Sequence, residues 1–176
     1  MSNLSARLQN RKMPSKDVPI CLDLSLLGER DRAMEAVQSA SKKGSDRMVS
    51  GPDVKTARAA VEAIEAQIRE QSIILRITGV DRSKYNEFVN ACPPRKGRVE
   101  AFNSSIFFMH VAKNTAQYVD EDGEAHPISP EEWVTIDKNI TDGEHDRIAQ
   151  AVIEVNREAG KSDLSFLGTA FGTTRG

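Results

Sequence analysis

Cys92 is the side chain whose surroundings in the sequence come nearest to a catalytic arrangement. It stands before a Pro-Pro pair, and Lys84, Arg95 and Lys96 are close to it along the chain. Neighbouring cations can lower the pKa of a thiol, which favours the reactive thiolate. A catalytic cysteine also needs a positioned base, and His110 is the candidate that we consider for that role. The alternative is a packed cysteine at the end of a helix, and we expect this second arrangement.

The remaining histidines and acidic residues do not have the spacing of a metal site. His145 has Asp142 and Asp146 near it, but this pattern is typical of the first turn of a helix. No histidine lies three or four residues from another metal-type ligand in a way that indicates a site, and His110 is expected to be a core or boundary residue. The acidic run at 120–124 lacks the ligand spacing of a calcium loop, so we expect a solvated turn there.

Phosphate-binding and nucleophile motifs are also missing from the sequence. Gly160-Lys161-Ser162 looks like the end of a P-loop, but Val155 stands where the first glycine would be needed. There is no glycine-rich dinucleotide motif and no nucleophile elbow. We therefore predict no catalytic residue, no cofactor and no bound metal, and we expect that the protein is not an enzyme.

A short cationic loop runs over Pro93–Gly97 and continues to Arg98. Such a loop can contact nucleic acid or an acidic protein surface, but it has no interleaved aromatic residues. The whole chain has 24 basic and 26 acidic side chains and a net charge of -2. This balance argues against nucleic acid as a partner, so we favour a protein-binding or structural role for the loop.

The composition describes an ordinary small globular protein. The chain has 176 residues, of which 39% are apolar, and it is long enough for one domain or two small ones. Cys21 and Cys92 are far apart and are expected to be free thiols in a reducing compartment. No apolar run reaches the roughly 18 residues of a membrane span, and no secretory signal follows the N-terminus. We expect a cytoplasmic protein without a membrane partner.

The first part of the chain is predicted as a strand–αα-hairpin–strand unit over residues 17–79, preceded by a flexible basic arm at 1–16. Pro19 favours an edge position for the first strand. Lys42-Lys43-Gly44 has the signals of a helix end, and Pro52 is well placed to begin a second helix. The predicted elements are a strand at Val18–Leu22, a helix capped by Asp23 or Ser25 that ends at Lys43, a polar loop at 44–51, a helix from Pro52 to Ile68 and a strand at Ile73–Thr78.

The second part is predicted as a helical domain over residues 80–160, followed by an extended tail at 161–176. Ser129-Pro130-Glu131-Glu132 is typical of a helix start, with proline first and acids in the first turn. The predicted helices cover Asp81–Ala91, 103–117, a segment from Pro130 to Ile140 and a segment from Thr141 to Gly160. The fold class is therefore mostly α (α+β), with the strand–hairpin–strand unit followed by a small helical bundle and flexible termini.

Several short motifs follow one another in a definite order along residues 17–171. The series contains Val18–Asp23, Ile74–Ile77, Tyr85–Val89, Pro93–Gly97, Asn103 with Phe107 and Phe108, Ser129–Trp133, Asp142–Glu144, Val155–Arg157 and Ser165-Phe166. This order resembles the tail assembly chaperones of long-tailed (siphovirus-type) phages of actinobacteria.

The resemblance implies a function in phage assembly rather than catalysis. A chaperone of this kind binds the tape measure protein, prevents its aggregation and promotes assembly of the tail tube around it. The implied partners are the tape measure protein, the tail tube protein and a frameshifted long form of the chain itself. Whether the chain also forms a homo-oligomer is left open. The implied location is the host cytoplasm, with the protein absent from the mature virion.

Large side chains of the helical part are the candidates for partner binding. A tape measure protein exposes long apolar helices, and an apolar groove can cover such helices. The candidates for the groove are Tyr85, Phe88, Phe107, Phe108 and Trp133, and the candidates in the basic loop are Arg95 and Lys96. The alternative for each of the aromatic residues is an ordinary place in the core.

Two other functions are alternatives to the chaperone. A structural virion component, such as a head–tail connector or a minor tail protein, would share the modest size and the lack of catalytic motifs. A nucleic-acid-binding regulator would use the basic arm and the basic loop, but the net charge speaks against it.

Overall fold

Seven α-helices and four short strands make up the computed structural model, which describes residues 3–43 and 52–161. The helices are α1 Asn3–Gln9, α2 Ser25–Lys43, α3 Pro52–Glu70, α4 Arg82–Ala91, α5 Ser104–Thr115, α6 Pro130–Asn139 and α7 Asp142–Ile153. The strands are β1 Ser15–Cys21, β2 Ser72–Thr78, β3 Ala116–Val119 and β4 Ala125–Pro127. The predicted mostly α (α+β) class is confirmed. The predicted loop at 44–51 and nearly all of the predicted tail, from residue 162, lie outside the described residues.

The four strands form one antiparallel sheet in the order β1-β2-β3-β4. Strand β1 is an edge strand, which suits Pro19 because proline has no N–H to donate. Side chains alternate in β1, where Val18 and Ile20 are buried, and in β2, where Leu75 and Ile77 are buried. The sheet therefore has one apolar face of β-branched and leucine side chains.

Strands β3 and β4 were not predicted, and they correct the expectation that the second part is wholly helical. The predicted helix at 103–117 ends instead at Thr115, and the chain continues directly into β3. Strand β3 pairs with β4 through Gln117 opposite Pro127 and Val119 opposite Ala125. The turn between them confirms the predicted solvated turn, since Asp120 accepts from the backbone N–H groups of two residues within it.

The contacts divide the chain into two units. The hairpin unit covers residues 19–74, and the larger unit covers residues 1–18 and 75–176. The sequence placed the boundary near Gly79 instead, and the predicted domain limits stay predictions. Residues 3–16, predicted as an arm, contain α1 and the first residues of β1.

The hairpin unit consists mainly of α2 and α3 lying side by side, as predicted. Arg30 near the start of α2 pairs with Glu65 near the end of α3 at 2.9 Å, so the two helices run antiparallel. Leu26, Val54 and Val61 are the buried side chains of the two helices among the described residues. Most other apolar side chains along the contact, such as Val37 and Ile68, are only half-buried.

The larger unit has its core between α5 and α7. The fully buried side chains of these two helices are Phe107, Val111, Ala112, Ile148 and Val152. Helix starts follow the sequence signals closely: Asp81, Asn103, Ser129 and Thr141 each accept a backbone hydrogen bond as N-caps. Within residues 3–43 and 52–161, no helix is long and apolar enough to cross a membrane.

Candidate functional site

An open groove with a volume of about 1110 Å³ lies on the larger unit. It is lined by residues from three distant segments of the sequence, 8–14, 79–85 and 155–159. The first segment contains the end of α1, the second joins β2 to α4, and the third follows α7. Ligand-binding sites are usually concave and need rigid walls, so the contacts that hold these segments together decide what the groove can do.

Gly79 allows two of the segments to approach each other closely. Its N–H donates to the carbonyl oxygen of Pro14 at 2.8 Å. A Cβ atom at this position would lie 2.7 Å from the carbonyl oxygen of Val155 and 3.4 Å from the ring of Pro14. Real Cβ atoms do not come so near to a backbone oxygen, so any larger residue would push the strand end and the segment after α7 apart.

Asn156 joins the same segments through its side-chain amide. Its Oδ1 accepts from the backbone N–H of Val80 at 2.9 Å, and its Nδ2 donates to the carbonyl oxygen of Val152 at 2.9 Å. The first bond satisfies a backbone donor beyond the end of β2, and the second fixes the amide to α7. Two residues of the Val155-Asn156-Arg157 motif therefore build one wall of the groove.

The segment after α7 is a π-helical turn, Glu154–Glu158, followed by a 3-10 turn, Ala159–Lys161. The sequence pattern predicts a continuous helix here, and the structure corrects that prediction. π-Turns inside α-helices are rare and often lie at functional sites. Lys16 pairs with Glu154 at 2.8 Å, which lowers the pKa of Glu154 and raises the pKa of Lys16.

Apolar side chains from two of the groove segments remain accessible. Leu8 lines the groove and is 59% exposed, and Leu4 lies one helical turn before it and is 65% exposed. Residues four apart on a helix share a face, so α1 presents two leucines together. Tyr85 lines the groove from α4 and is half-buried. Burial raises the pKa of its hydroxyl, and the nearby charge of Arg157 acts in the opposite direction.

Three cations also line the groove: Arg11, Lys12 and Arg82, all of them exposed. Within the part of the chain that the structure describes, none of them forms an ion pair with a carboxylate. Asp81 is the one acidic residue among the described lining residues, and its carboxylate already accepts from the N–H of Lys84 at 3.0 Å. The groove is therefore positive on a chain whose net charge is -2.

An aromatic cluster supports the groove from behind Tyr85. The ring of Phe107 lies edge-to-face with Tyr85 at 5.5 Å and with Phe108 at 5.4 Å, and Phe102 lies 4.0 Å from Phe107. Aromatic pairs in such geometries stabilise a core beyond the area that they bury. The cluster therefore fixes the position of Tyr85 at the edge of the groove.

The structure separates the predicted aromatic site residues into two groups. Phe107 is fully buried, and Phe88 and Trp133 are each only 4% exposed, so all three occupy the core in this conformation. Tyr85 and Phe108 are half-buried and accessible to a partner. Trp133 makes no aromatic contact with the cluster among the described residues. The predicted partner-binding role of these residues stays a prediction.

Arg95 and Lys96 differ in their surroundings although they are adjacent. The guanidinium of Arg95 donates from Nε and Nη2 to the carboxylate of Glu100 at 2.9 and 2.8 Å, and from Nη1 to Ser105 Oγ at 2.8 Å. The backbone N–H of Arg95 also donates to Glu100, and these bonds lower the pKa of Glu100 to about 2. Lys96 is exposed. Arg95 thus holds the loop together, and Lys96, which forms no ion pair within the described residues, is accessible to a partner.

Cys92 is a packed cysteine at the end of α4, with 1% of its surface exposed. Burial raises the pKa of its thiol, which is the reverse of the effect that neighbouring cations were expected to have. It shares a second, smaller cavity of about 500 Å³ with His110 and His145. In the described residues, no three His, Cys, Asp or Glu side chains are placed to hold a metal ion.

Sequence reasoning missed the residues of the groove that lie in the N-terminal segment. Leu8, Arg11 and Lys12 were assigned to an arm, because nothing in a linear pattern shows that they face residues 79–85 and 155–159. The Val155-Asn156-Arg157 motif was noticed, but its role in positioning Val80 and Tyr85 was not. Comparisons of the chain with protein-family models, with curated proteins and with solved structures gave no match.

Proposed function

We propose that this protein is a phage tail assembly chaperone that binds the tape measure protein. It would keep the apolar helices of that protein from aggregating and would promote the gathering of tail tube subunits around it. The proposed site of action is the host cytoplasm, and the proposed fate is absence from the mature virion. The order of sequence motifs is the origin of the proposal, through the family resemblance.

The structural observation that carries the proposal is the groove with Leu8 and Tyr85 at its edges. An apolar helix needs a concave surface with accessible apolar side chains, and helix-in-groove binding supplies it. Leu4 and Leu8 are 65% and 59% exposed, so they are available without unfolding any element. Exposed apolar clusters on a small protein commonly mark a surface that binds another protein.

A binding role also fits the state of the one candidate nucleophile. Cys92 is buried and its pKa is raised, so its thiol would be protonated and inaccessible near neutral pH. We therefore propose that the chain acts by binding rather than by catalysis.

Co-expression with the tape measure protein of the same phage tests the proposal. The soluble fraction of the tape measure protein should rise, and the two proteins should co-purify. The variant Leu4→Ser/Leu8→Ser should lose this effect, whereas Leu22→Ser, which changes a leucine that is 64% exposed in the hairpin unit, should keep it. A tape measure protein that stays insoluble and does not co-purify with the wild type would refute the chaperone proposal.

Mass spectrometry of purified virions separates the chaperone from a structural component. A chaperone should be missing from mature particles or present in traces. Many copies per particle would instead favour the alternative of a head–tail connector or a minor tail protein.

A further inference from the structure

The groove is lined by positive charges, which binding of a purely apolar partner would not require. Arg11, Lys12 and Arg82 line it, and Arg157 lies close enough to Tyr85 to affect the ionisation of its hydroxyl. All four side chains are exposed. No ion pair within the described residues involves any of them.

Two carboxylates in or beside the groove segments already have partners. Asp81 accepts from the backbone N–H of Lys84 as the cap of α4, and Glu154 is paired with Lys16. The charge of these two carboxylates is thus partly compensated by their own partners, and none of the four cations forms an ion pair within the described part of the chain. The chain as a whole has a net charge of -2, so this local excess of positive charge is opposite in sign to the net charge of the protein.

We infer that the groove binds an acidic protein segment whose carboxylates flank a stripe of apolar side chains. The apolar stripe would contact Leu8, Met13 and Tyr85, and the carboxylates would meet Arg11, Lys12 and Arg82. The inference rests on the proposed function in taking the partner to be a protein helix, and it specifies which helices of a tape measure protein are bound. Complementary charge selects among apolar helices that would otherwise bind equally well.

A single-stranded nucleic acid is the other polyanion that such a groove could attract, and the lining argues against it. Proteins that bind single strands use several aromatic side chains on which successive bases stack. Tyr85 is the only aromatic residue among the described lining residues, and its ring is packed edge-to-face against Phe107. The other uncharged side chains at the groove include Leu8, Met13 and Val155, which suit an apolar partner.

A panel of three labelled peptides of about 18 residues tests the inference on the full-length protein, without knowledge of the natural partner. The first is a helix-forming peptide of Ala, Glu and Leu, with leucines spaced to form one apolar stripe. The second replaces every Glu with Lys, and the third replaces every Leu with Ser. Fluorescence anisotropy should show that only the first peptide binds well, and that its affinity falls as salt is added.

Charge reversal in the groove should remove this preference. We expect the variant Lys12→Glu/Arg82→Glu to bind the acidic apolar peptide about tenfold more weakly or worse, because two attractive contacts become repulsive. The fold should survive, since Lys12 is exposed and a glutamate in the first turn of α4 is favourable for a helix. The matched control is Lys55→Glu, which reverses an exposed charge on α3 of the hairpin unit and should leave the affinity unchanged.

Any one of four results would overturn the inference. The Lys-containing peptide could bind as tightly as the Glu-containing one, or the double variant could bind the acidic peptide as well as the wild type. A labelled single-stranded DNA that binds more tightly than the acidic peptide would identify the groove as a nucleic-acid site. Wild type that self-associates in sedimentation, with the double variant monomeric, would make a second copy of the chain the occupant.

Co-expression and the peptide panel together distinguish a failure of this inference from a failure of the chaperone proposal. If the double variant still makes the tape measure protein soluble in co-expression, the chaperone proposal stands and the charge of the groove is unimportant. If the wild type fails in co-expression, the chaperone proposal falls, and the peptide panel still decides what the groove binds.

Discussion

Glu100 is the residue whose ionisation is most strongly tied to the folded state. Its carboxylate accepts from both the side chain and the backbone of Arg95, and its side chain is 15% exposed. The hydrogen bonds lower its pKa from an ordinary value of 4.5 to about 2 in the folded protein. A carboxylate with a lowered pKa in the folded state stabilises the fold at pH values above the unfolded pKa, and this contribution disappears as the pH falls towards the folded pKa.

The variant Glu100→Gln should reveal this contribution as a pH-dependent loss of stability. At pH 7 the variant should unfold at lower urea concentration than the wild type, because the paired carboxylate is missing. Between pH 4.5 and about pH 2 the difference should shrink, since the wild type loses the same interaction by protonation. Urea unfolding at a series of pH values measures the difference directly.

Glu121→Gln is the matched control, because Glu121 is exposed and forms no ion pair in the described ranges. Its difference from the wild type should stay near zero at every pH. A stability difference between Glu100→Gln and the wild type that stays constant over the whole pH range would show that ionisation of Glu100 does not contribute to stability.

At the scale of elements, the junction between the end of β2 and the π-turn after α7 decides whether the groove exists. Gly79 contributes to this junction by having no side chain, and Asn156 contributes by bonding Val80. Lys16 and Glu154 add an ion pair at the start of β1. Three elements far apart in sequence are thus held together by a few short contacts, most of them to the backbone.

The variant Gly79→Ala should destabilise the protein by about 1–3 kcal/mol, as overpacking of a well-packed site does. The added Cβ would lie 2.7 Å from the carbonyl oxygen of Val155, and a backbone oxygen cannot move aside as a flexible side chain can. Gly28→Ala is the control: nothing lies within 4 Å of its added Cβ, and alanine is the better helix former in α2 by up to about 1 kcal/mol. Chemical denaturation of both variants should show shifts of opposite sign, and a Gly79→Ala variant as stable as the wild type would contradict the close approach.

Elements marked by local chemistry were predictable from the sequence. Caps such as Ser129 and Thr141, and the proline that begins α3, determine helix starts through contacts within one turn. Strand β3 was missed because Ala116 and Val119 continue the apolar spacing of α5, so the helix pattern does not stop where the helix stops. The π-turn was missed because its widened hydrogen bonding depends on the segments packed beside it rather than on its own residues.

The candidate site was harder to predict than the fold, for a reason specific to its construction. The sequence drew attention to Tyr85 and the Val155-Asn156-Arg157 motif. It also named Phe88, Phe107 and Trp133 as candidate partner contacts, with a core position as the alternative, and the structure buries these three. Large aromatic residues serve a core and a binding surface equally well, and only the packing of neighbouring helices separates the two uses. The sequence alone does not show that Arg11, Lys12 and Arg82 lie near one another, because only the fold brings them to one groove.

At the scale of the whole molecule, the two units differ in how much side chain they bury. In the described residues of α5 and α7, the core side chains are almost completely inaccessible, with Phe107, Val111, Ile148 and Val152 at 0% exposure. In α2 and α3, the buried side chains of the described residues are Leu26, Val54 and Val61, each of them 6–8% exposed. Regions with few buried apolar contacts open locally at a lower free-energy cost than a dense core does.

Hydrogen exchange should therefore distinguish the two units. We expect the amides of α5 and α7 to be the slowest, and those in the middle of α2 and α3 to exchange at least about tenfold faster after correction for intrinsic rates, which is about 1.4 kcal/mol in opening free energy. The comparison should use helix interiors only, because the terminal turns of any helix fray. Mass spectrometry of deuterated peptides from the full chain measures both units in one sample. Equal protection would mean that the hairpin opens only when the larger unit unfolds, and the whole chain would then behave as a single cooperative unit.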